Sequence, residues 1–463
     1  MFSASTYEAR RAALRSKLAG GGLVLFPGNH GSPMNYRDNA YPFRQDSSFL
    51  YFFGLDQPGL VGLMDLDSGE DWLIADEPTL DDIVWTGPVP PLAQRAAQAG
   101  VKETKSTQAL VRQLETAVNQ KRTVHFLKPY RADGAIEIAA WLNLPVAAVS
   151  SRCSLPLTQA VIALRERKSQ EEVAEIEAAL AVTAKMHYAA MRASRPGVVE
   201  REIVGLMEGI TRTHDWQLAY PVIFSKRGEI LHSHGHELTL EKGDLVVNDS
   251  GCSSRRGYAS DITRTIPIGG KFVGIKRYLY GLVLDAQQQA IAALRPGLPF
   301  VEVHKTASRV LVEGLKSAGC FQGDTDEIVD SGAYAVIFQC GVGHQMGLDV
   351  HDMEALGEDH VGYDQKFRRS KLFGLSHLRL AKPVLPGFVV TVEPGIYIIP
   401  ELLDRWRAER RHGRFINYDA LDRLRRVGGL RVEDDVLITE TGARVLGPHI
   451  AKTADEVEAA MAD

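Results

Sequence analysis

Asp249 closes the apolar run Leu245-Val246-Val247-Asn248-Asp249 and is followed by Ser250-Gly251. Asp261 stands in Ser260-Asp261-Ile262-Thr263, and His344 ends Gly341-Val342-Gly343-His344. Glu393 ends Val389-Val390-Thr391-Val392 ahead of Pro394-Gly395, and Glu433 lies between Val432 and Asp434. An acid amid such strands must be solvated, capped or paired, because burying a lone charge is costly. Together, four carboxylates and one imidazole make a hard, oxygen-rich ligand set that suits Mn²⁺, Co²⁺, Zn²⁺ or Fe²⁺ better than a thiolate site would. Two ions sharing bridging carboxylates could hold one hydroxide between them and polarise a carbonyl. Each residue also has a plainer reading. Asp249 could cap a turn, Asp261 could be an exposed strand acid or a partner of Arg264, and Glu393 and Glu433 could be ordinary ion-pair partners. No short two-histidine motif fixes the set, so composition and spacing leave both readings open.

The elements that would carry these residues are mostly strands. Residues 244–249, 257–268, 334–338, 388–393, 396–399 and 430–439 have the apolar, β-branched character of strands. Residues 277–294 and 301–318 read as helices, the second stopping near Gly319, and 402–428 reads as helical. Hairpin-like returns predict an α+β domain with a curved, mainly antiparallel sheet flanked by helices. Ahead of it, residues 156–195 are helix-rich, with Val173, Ile176, Leu180 and Ala184 at helical intervals. The first residues form an amphipathic helix. Strands at 23–28, 49–53, 60–66, 71–75 and 123–127, with a helix at 110–118, predict an α/β N-terminal domain. A chain of 463 residues exceeds the usual size of one domain, and the expected division is 1–165 and 166–463.

Composition bounds the function classes. A net charge of -5 argues against a general nucleic-acid or acidic-membrane surface. The N-terminal residues lack the apolar run of a signal peptide, and no uncharged stretch reaches membrane-spanning length. Cys153, Cys252, Cys320 and Cys340 form no CxxC pair, so a reducing cytoplasm is the expected compartment.

Five stretches carry a closer likeness: NDSG at 248–251, YASDITRT at 258–265, GVGHQMGLDVHD at 341–352, TVEPGIYI at 391–398 and GLRVEDDVLIT at 429–439. In letters, order and separation, the second half resembles the pita-bread metallopeptidases, in the branch containing aminopeptidase P and prolidase. YPFRQDSSFLYFFG at 41–54 is similar, more weakly, to the aminopeptidase P N-terminal domain. The resemblance implies that Asp249, Asp261, His344, Glu393 and Glu433 ligate two divalent ions, Mn²⁺ first, with Co²⁺ or Zn²⁺ as alternatives. It implies hydrolysis of the N-terminal Xaa-Pro bond by a metal-bridging hydroxide. Glu393 is then both ligand and proton acceptor, His351 steadies the oxyanion, and His232 lies on the substrate-binding side. His232 sits in LHSHGH, so His234 and His236 compete with it, and the three histidines could instead form a separate metal site. Arg431, two residues before Glu433, shares its strand face and could balance or orient the carboxylates, or form a surface ion pair.

One position departs from the family pattern. Where the family usually shows a histidine four residues before the metal histidine, this chain has Cys340. That puts recognition on the leaving side in doubt without removing a ligand. Trp85 matches an aminopeptidase P position that approaches a neighbouring subunit's active site, which implies a homodimer or homotetramer; a local core tryptophan is the plainer reading. An Xaa-Pro dipeptidase is the nearest rival. It is favoured by the segments 353–387 and 402–428 and by Arg368, Arg369, Lys371 and Arg379, which could equally form a solvated face. An amidinohydrolase or a non-catalytic binding scaffold would not need all five ligands.

Overall fold

Alternating and continuous apolar runs near the N-terminus build one mixed sheet. The computed structural model describes residues 1–462, and its contacts divide the chain into Met1–Arg165 with Met353–His360, and Glu166–Asp352 with Val361–Asp463. In the first unit β1 (Leu23–Pro27), β2 (Val61–Asp65), β3 (Asp71–Ile74), β4 (Glu103–Lys105) and β5 (Val124–Phe126) lie in the order β4-β3-β2-β1-β5. β2 runs antiparallel to β1 and β3, whereas β1 with β5 and β3 with β4 are parallel. Leu23, Leu25, Leu63, Trp72 and Phe126 meet Leu110, Leu114, Ile138 and Trp141 in one core.

The stretch 49–53, expected as a strand, is helical within Ser47–Phe53. All seven residues of that helix are buried, so no alternation separates strand from helix in this short apolar run. The ends decide it. The Asp46 carboxylate accepts from Phe49 N–H, and Gly54 takes a left-handed conformation at φ 69°. The helix Leu80–Thr86 is the opposite case. It has no buried residue, and Leu80, Val84 and Trp85 are 79%, 70% and 80% exposed. Trp85 is therefore not a core tryptophan of this unit.

In the second unit every paired strand is antiparallel. β6 (Gln217–Leu218) pairs with β9 (Cys252–Ser253). β7 (Ile223–Ser225) and β10 (Ile262–Pro267) flank β8 (Leu245–Ser250). β11 (Val389–Val392) pairs with β14 (Asp434–Ile438), which also takes β15 (Ala443–Val445). β12 (Gly395–Tyr397) pairs with β13 (Gly429–Arg431). Bridges at Thr263–Glu433 and Gln345–Val390 join these ribbons. The helices Gln170–Ala193, Glu200–Thr213, Ile275–Ala293 and Phe300–Ser317 bury apolar faces against them, with Met186, Met207, Leu279, Val283 and Leu311 meeting Phe224, Val246, Ile266 and Val390.

Two further expectations change here. Residues 334–338 are not a strand, because Ala333–Val336 form a 3₁₀ turn after the left-handed Gly332. The run 430–439 is not one strand but β13 and β14, with Val432 and Glu433 between them. Among the described residues no single helix is long and apolar enough to cross a membrane.

Candidate metal centre

The ribbons bring the five singled-out residues into the wall of a cavity of about 470 Å³. Asp249 lies on β8 opposite Thr263 of β10, Asp261 immediately precedes β10, and Glu433 pairs with Thr263 from the gap between β13 and β14. The other two ligand positions depend on a close approach to β11. His344 and Thr391 exchange two hydrogen bonds, His344 N–H to Thr391 Oγ1 at 3.1 Å and Thr391 N–H to the His344 carbonyl at 2.9 Å. Glu393 N–H donates to the Val342 carbonyl at 2.8 Å. A Cβ on Gly343 would collide with the Thr391 carbonyl, so glycine lets the loop lie this close.

Nδ1–H of His344 donates to the Gln345 carbonyl at 3.0 Å, which leaves Nε2 with a lone pair toward the acids. Nε2 is 3.4 Å from Asp261 Oδ2 and 3.8 Å from Glu393 Oε1. Donor atoms of Asp261, His344 and Glu433 lie within 4.8 Å of one another. Among the described residues this is the one such group of metal-capable side chains; His232, His234 and His236 do not form another. His232 and His234 line the cavity, whereas His236 Nδ1 is 3.3 Å from the Phe224 carbonyl.

Electrostatics mark this nest as one that wants cations. Burial, then the charge of Asp249, pushes Asp261 up to about 7. Burial, then Asp261, Glu393 and Asp249, holds Glu433 well above the usual carboxylate range. Burial also raises Glu393, against the pull of His344 and Arg431. These are the shifts expected of buried carboxylates crowded together without enough positive charge. Arg431 is the guanidinium at their centre. Burial works against its charge, but Tyr397, Asp249, Glu393 and Glu433 outweigh that effect and raise its pKa. It pairs with Asp249 Oδ2, and its Nε donates to Thr263 Oγ1 at 2.9 Å. Thr263 in turn donates to Glu433 Oε2 at 2.5 Å. Arg431 is buried, so the surface ion-pair reading of it does not hold. The donor set and its unmet charge fit divalent cations.

The run Glu433-Asp434-Asp435 splits three ways. Glu433 faces the nest. Asp435 Oδ2 accepts from Asp261 N–H at 3.1 Å. Asp434, on the other face of the strand, meets Arg264, Lys452 and Gln287. All five donors of Arg264 are used: they reach Asp434 Oδ1 and the carbonyls of Thr263, Glu433, Ile450 and Ala451 at 2.7–3.1 Å. One buried side chain thus clamps β10 to the segment bearing Glu433.

Sequence reasoning overlooked several residues of the site. Tyr220 donates toward Asp249 Oδ1 at 2.6 Å and also contacts Asp261 Oδ1; one phenolic proton is shared between two acids. Nothing in Ala219-Tyr220-Pro221 signals this. Thr263 could have been found, because it lies two residues beyond Asp261 on a strand. Phe373, His377 and Gln339 also line the cavity. Cys340 lines it as well, and burial followed by Glu393 pushes its thiol up to about 12, which favours the neutral thiol over a thiolate nucleophile. Of the basic residues in 353–387, Arg379 lines the cavity, while Arg369 donates to the Ser376 and Leu378 carbonyls. His351 stands edge-on to His344, with ring centroids 4.3 Å apart.

Comparison with known proteins places these features in a family. Residues 174–440 match the model of metallopeptidase family M24, and residues 7–125 match the aminopeptidase P N-terminal domain. The chain is 31% identical to an Xaa-Pro aminopeptidase of Escherichia coli (strain K12), covering 99% of this chain and 98% of the relative. It is 29% identical to an Xaa-Pro dipeptidase of Homo sapiens, covering 96% and 89%. The solved structure of Pseudomonas aeruginosa aminopeptidase PepP superposes with a TM-score of 0.81 at 28% identity, covering 100% of this chain and 99% of that one.

Proposed function

The chain belongs to metallopeptidase family M24, and from that premise we propose that it hydrolyses Xaa-Pro peptides as an aminopeptidase, with the following roles for its individual residues. Asp249, Asp261, His344, Glu393 and Glu433 hold two divalent ions, Mn²⁺ first, with Co²⁺ and Zn²⁺ as alternatives that hard oxygen ligands also accept. The observation that carries this reading is the gathering of four carboxylates and one oriented imidazole with the Arg431 guanidinium in the wall of one cavity. Divalent ions bound there supply charge that lowers the pKa of a water and polarises the scissile carbonyl.

The protein's own groups do the rest. Glu393, less buried than the other acids and at the cavity wall, accepts the water's proton and delivers it to the proline nitrogen, which must be protonated to leave. His351 donates to the oxyanion. Arg431 holds Asp249 directly and Glu433 through Thr263. His232, at the cavity wall, faces the substrate as a neutral imidazole, since burial, Arg379 and Arg431 lower its pKa. Leu231, Val350 and Phe373 supply apolar wall for a proline ring, whose amide has no N–H to satisfy.

A dipeptidase reading is favoured by one observation, Arg379 in the cavity wall. A guanidinium there would bind the free carboxylate of a C-terminal proline and leave a longer peptide without that partner. Side-by-side hydrolysis of Ala-Pro, Ala-Pro-Ala and a longer Xaa-Pro peptide separates the two. The expected result is cleavage of the tripeptide and the longer chain. Strong activity on Ala-Pro with none on the others would assign the dipeptidase instead.

We further propose that residues 1–165 are an aminopeptidase P-like N-terminal α/β domain and 166–463, with its leading linker helix, the catalytic domain. The chain assembles as a homodimer or homotetramer, supported by the exposed Trp85, Val84 and Leu80 on one short helix. Light scattering is expected to read a multiple of 50.9 kDa; a single-chain mass at working concentration rejects assembly. Four free cysteines fit a reducing cytoplasm.

A further inference from the structure

A lysine buried outside the nest pairs with the residue that follows His351. Lys168 precedes the helix Gln170–Ala193, which Ser169 caps. Its backbone N–H is fixed to the Gly387 carbonyl at 2.7 Å. Its side chain is 1% exposed, and Nζ lies 2.9 Å from Oδ2 of Asp352, whose side chain is also 1% exposed. A fully buried lysine is rare and needs a partner to remain charged. Here the partner is the residue immediately after His351.

The loop from His344 to Asp352 closes around this ion pair. Asp352 N–H donates to the Gln345 carbonyl at 2.9 Å, and Asp352 Oδ1 accepts from Asp349 N–H at 3.3 Å. Gly347 lies against the pair: a Cβ there would fall 2.6 Å from Asp352 Oδ2 and 2.8 Å from Lys168 Cε. Closure brings the two ends of the loop together, so that His344 and His351 meet edge to face. The His344 end is pinned separately by Thr391. The His351 end leads directly into Asp352 and its contacts.

We propose that Lys168 is a positioning residue for His351, holding the loop through Asp352 so that the imidazole reaches the oxyanion. The inference rests on the reading of His351 as oxyanion donor. It predicts an effect on turnover and not on metal retention, because the pair grips one end of the loop and Thr391 the other.

The test uses the full, metal-reconstituted chain with Lys168→Gln, His351→Ala and the double variant, assayed well below their melting temperatures. Lys168→Gln is expected to lose about 10–100-fold in kcat, with KM within about twofold and metal content unchanged. The double variant is expected to be no slower than His351→Ala alone, because both changes remove one function. If Lys168→Gln fails to fold, Asp352→Asn, which keeps the shape and the acceptor for Asp349, is measured in its place. A wild-type kcat for Lys168→Gln, or losses that multiply in the double variant, overturns the inference and leaves the role of His351 standing. Failure of both Lys168→Gln and Asp352→Asn to fold assigns the pair to stability alone and also overturns it. A wild-type rate for His351→Ala removes the reading of His351, and the inference with it.

Discussion

Replacing Glu393 with glutamine is expected to lower kcat by about 10²–10⁴-fold, the range over which a positioned general base contributes. Glutamine keeps the volume and one carbonyl oxygen, so it can still sit beside His344 Nε2, 3.8 Å away in the native protein. It cannot accept a proton from water or return one to the proline nitrogen. Because Glu393 is also a proposed ligand, elemental analysis must accompany the kinetics. The native chain, reconstituted with Mn²⁺, Co²⁺ or Zn²⁺, should carry two divalent ions, and the variant is compared at the same loading. A Glu393→Gln enzyme that holds two ions and turns over at the native rate would refute the proton-transfer role. A native chain that retains no ion after reconstitution would remove the metal centre altogether.

The second large effect is expected at His351. Truncation to alanine should cost about 10²–10³-fold in kcat, the loss that follows removal of one oxyanion donor. The centre itself should survive, since His344 is held by Thr391 and by the Gln345 carbonyl and not by its neighbour's ring. The two proposed roles therefore separate experimentally. The Glu393 change touches a proposed ligand, so its ion content is read beside its rate, whereas the His351 change is expected to leave ion content unaltered. Turnover close to native in the fully loaded His351→Ala enzyme would exclude it as the oxyanion donor.

How much of this was legible in the chain depends on the kind of information each residue carries. The acids of the nest were visible because each lies within or beside a strand-like run, and a charge in that setting demands a reason. Their convergence was not visible: it arises from pairings such as Thr263 with Glu433, and only the family likeness supplied it beforehand. The helices Ile275–Ala293 and Phe300–Ser317 lie within two residues of their expected ends, because long amphipathic periods are robust signals. The stretches 49–53 and 334–338 went astray for the opposite reason. They are short, apolar on every side and buried, so the capping groups Asp46 and Gly54, and the left-handed Gly332, decide their conformation. Tyr220 and Arg379 enter the cavity from loops, where no periodicity points to a destination. Lys168 was silent for a similar reason: its partner lies 184 residues away.

The bridge between Thr263 and Glu433 sets a time as well as a position. Thr263 Oγ1 reaches a carboxylate 170 residues further along the chain. At 5–20 residues per second of synthesis, roughly 10–30 s separate their emergence from the ribosome. Throughout that interval Asp249 and Asp261 have neither Glu433 nor Arg431 beside them, and the Arg264 clamp lacks the carbonyls of Glu433, Ile450 and Ala451. The local β1–β5 sheet can form long before. The proposed ion site is thus completed only late in synthesis, and a nascent chain halted before Glu433 carries Asp249 and Asp261 without the partners that close it.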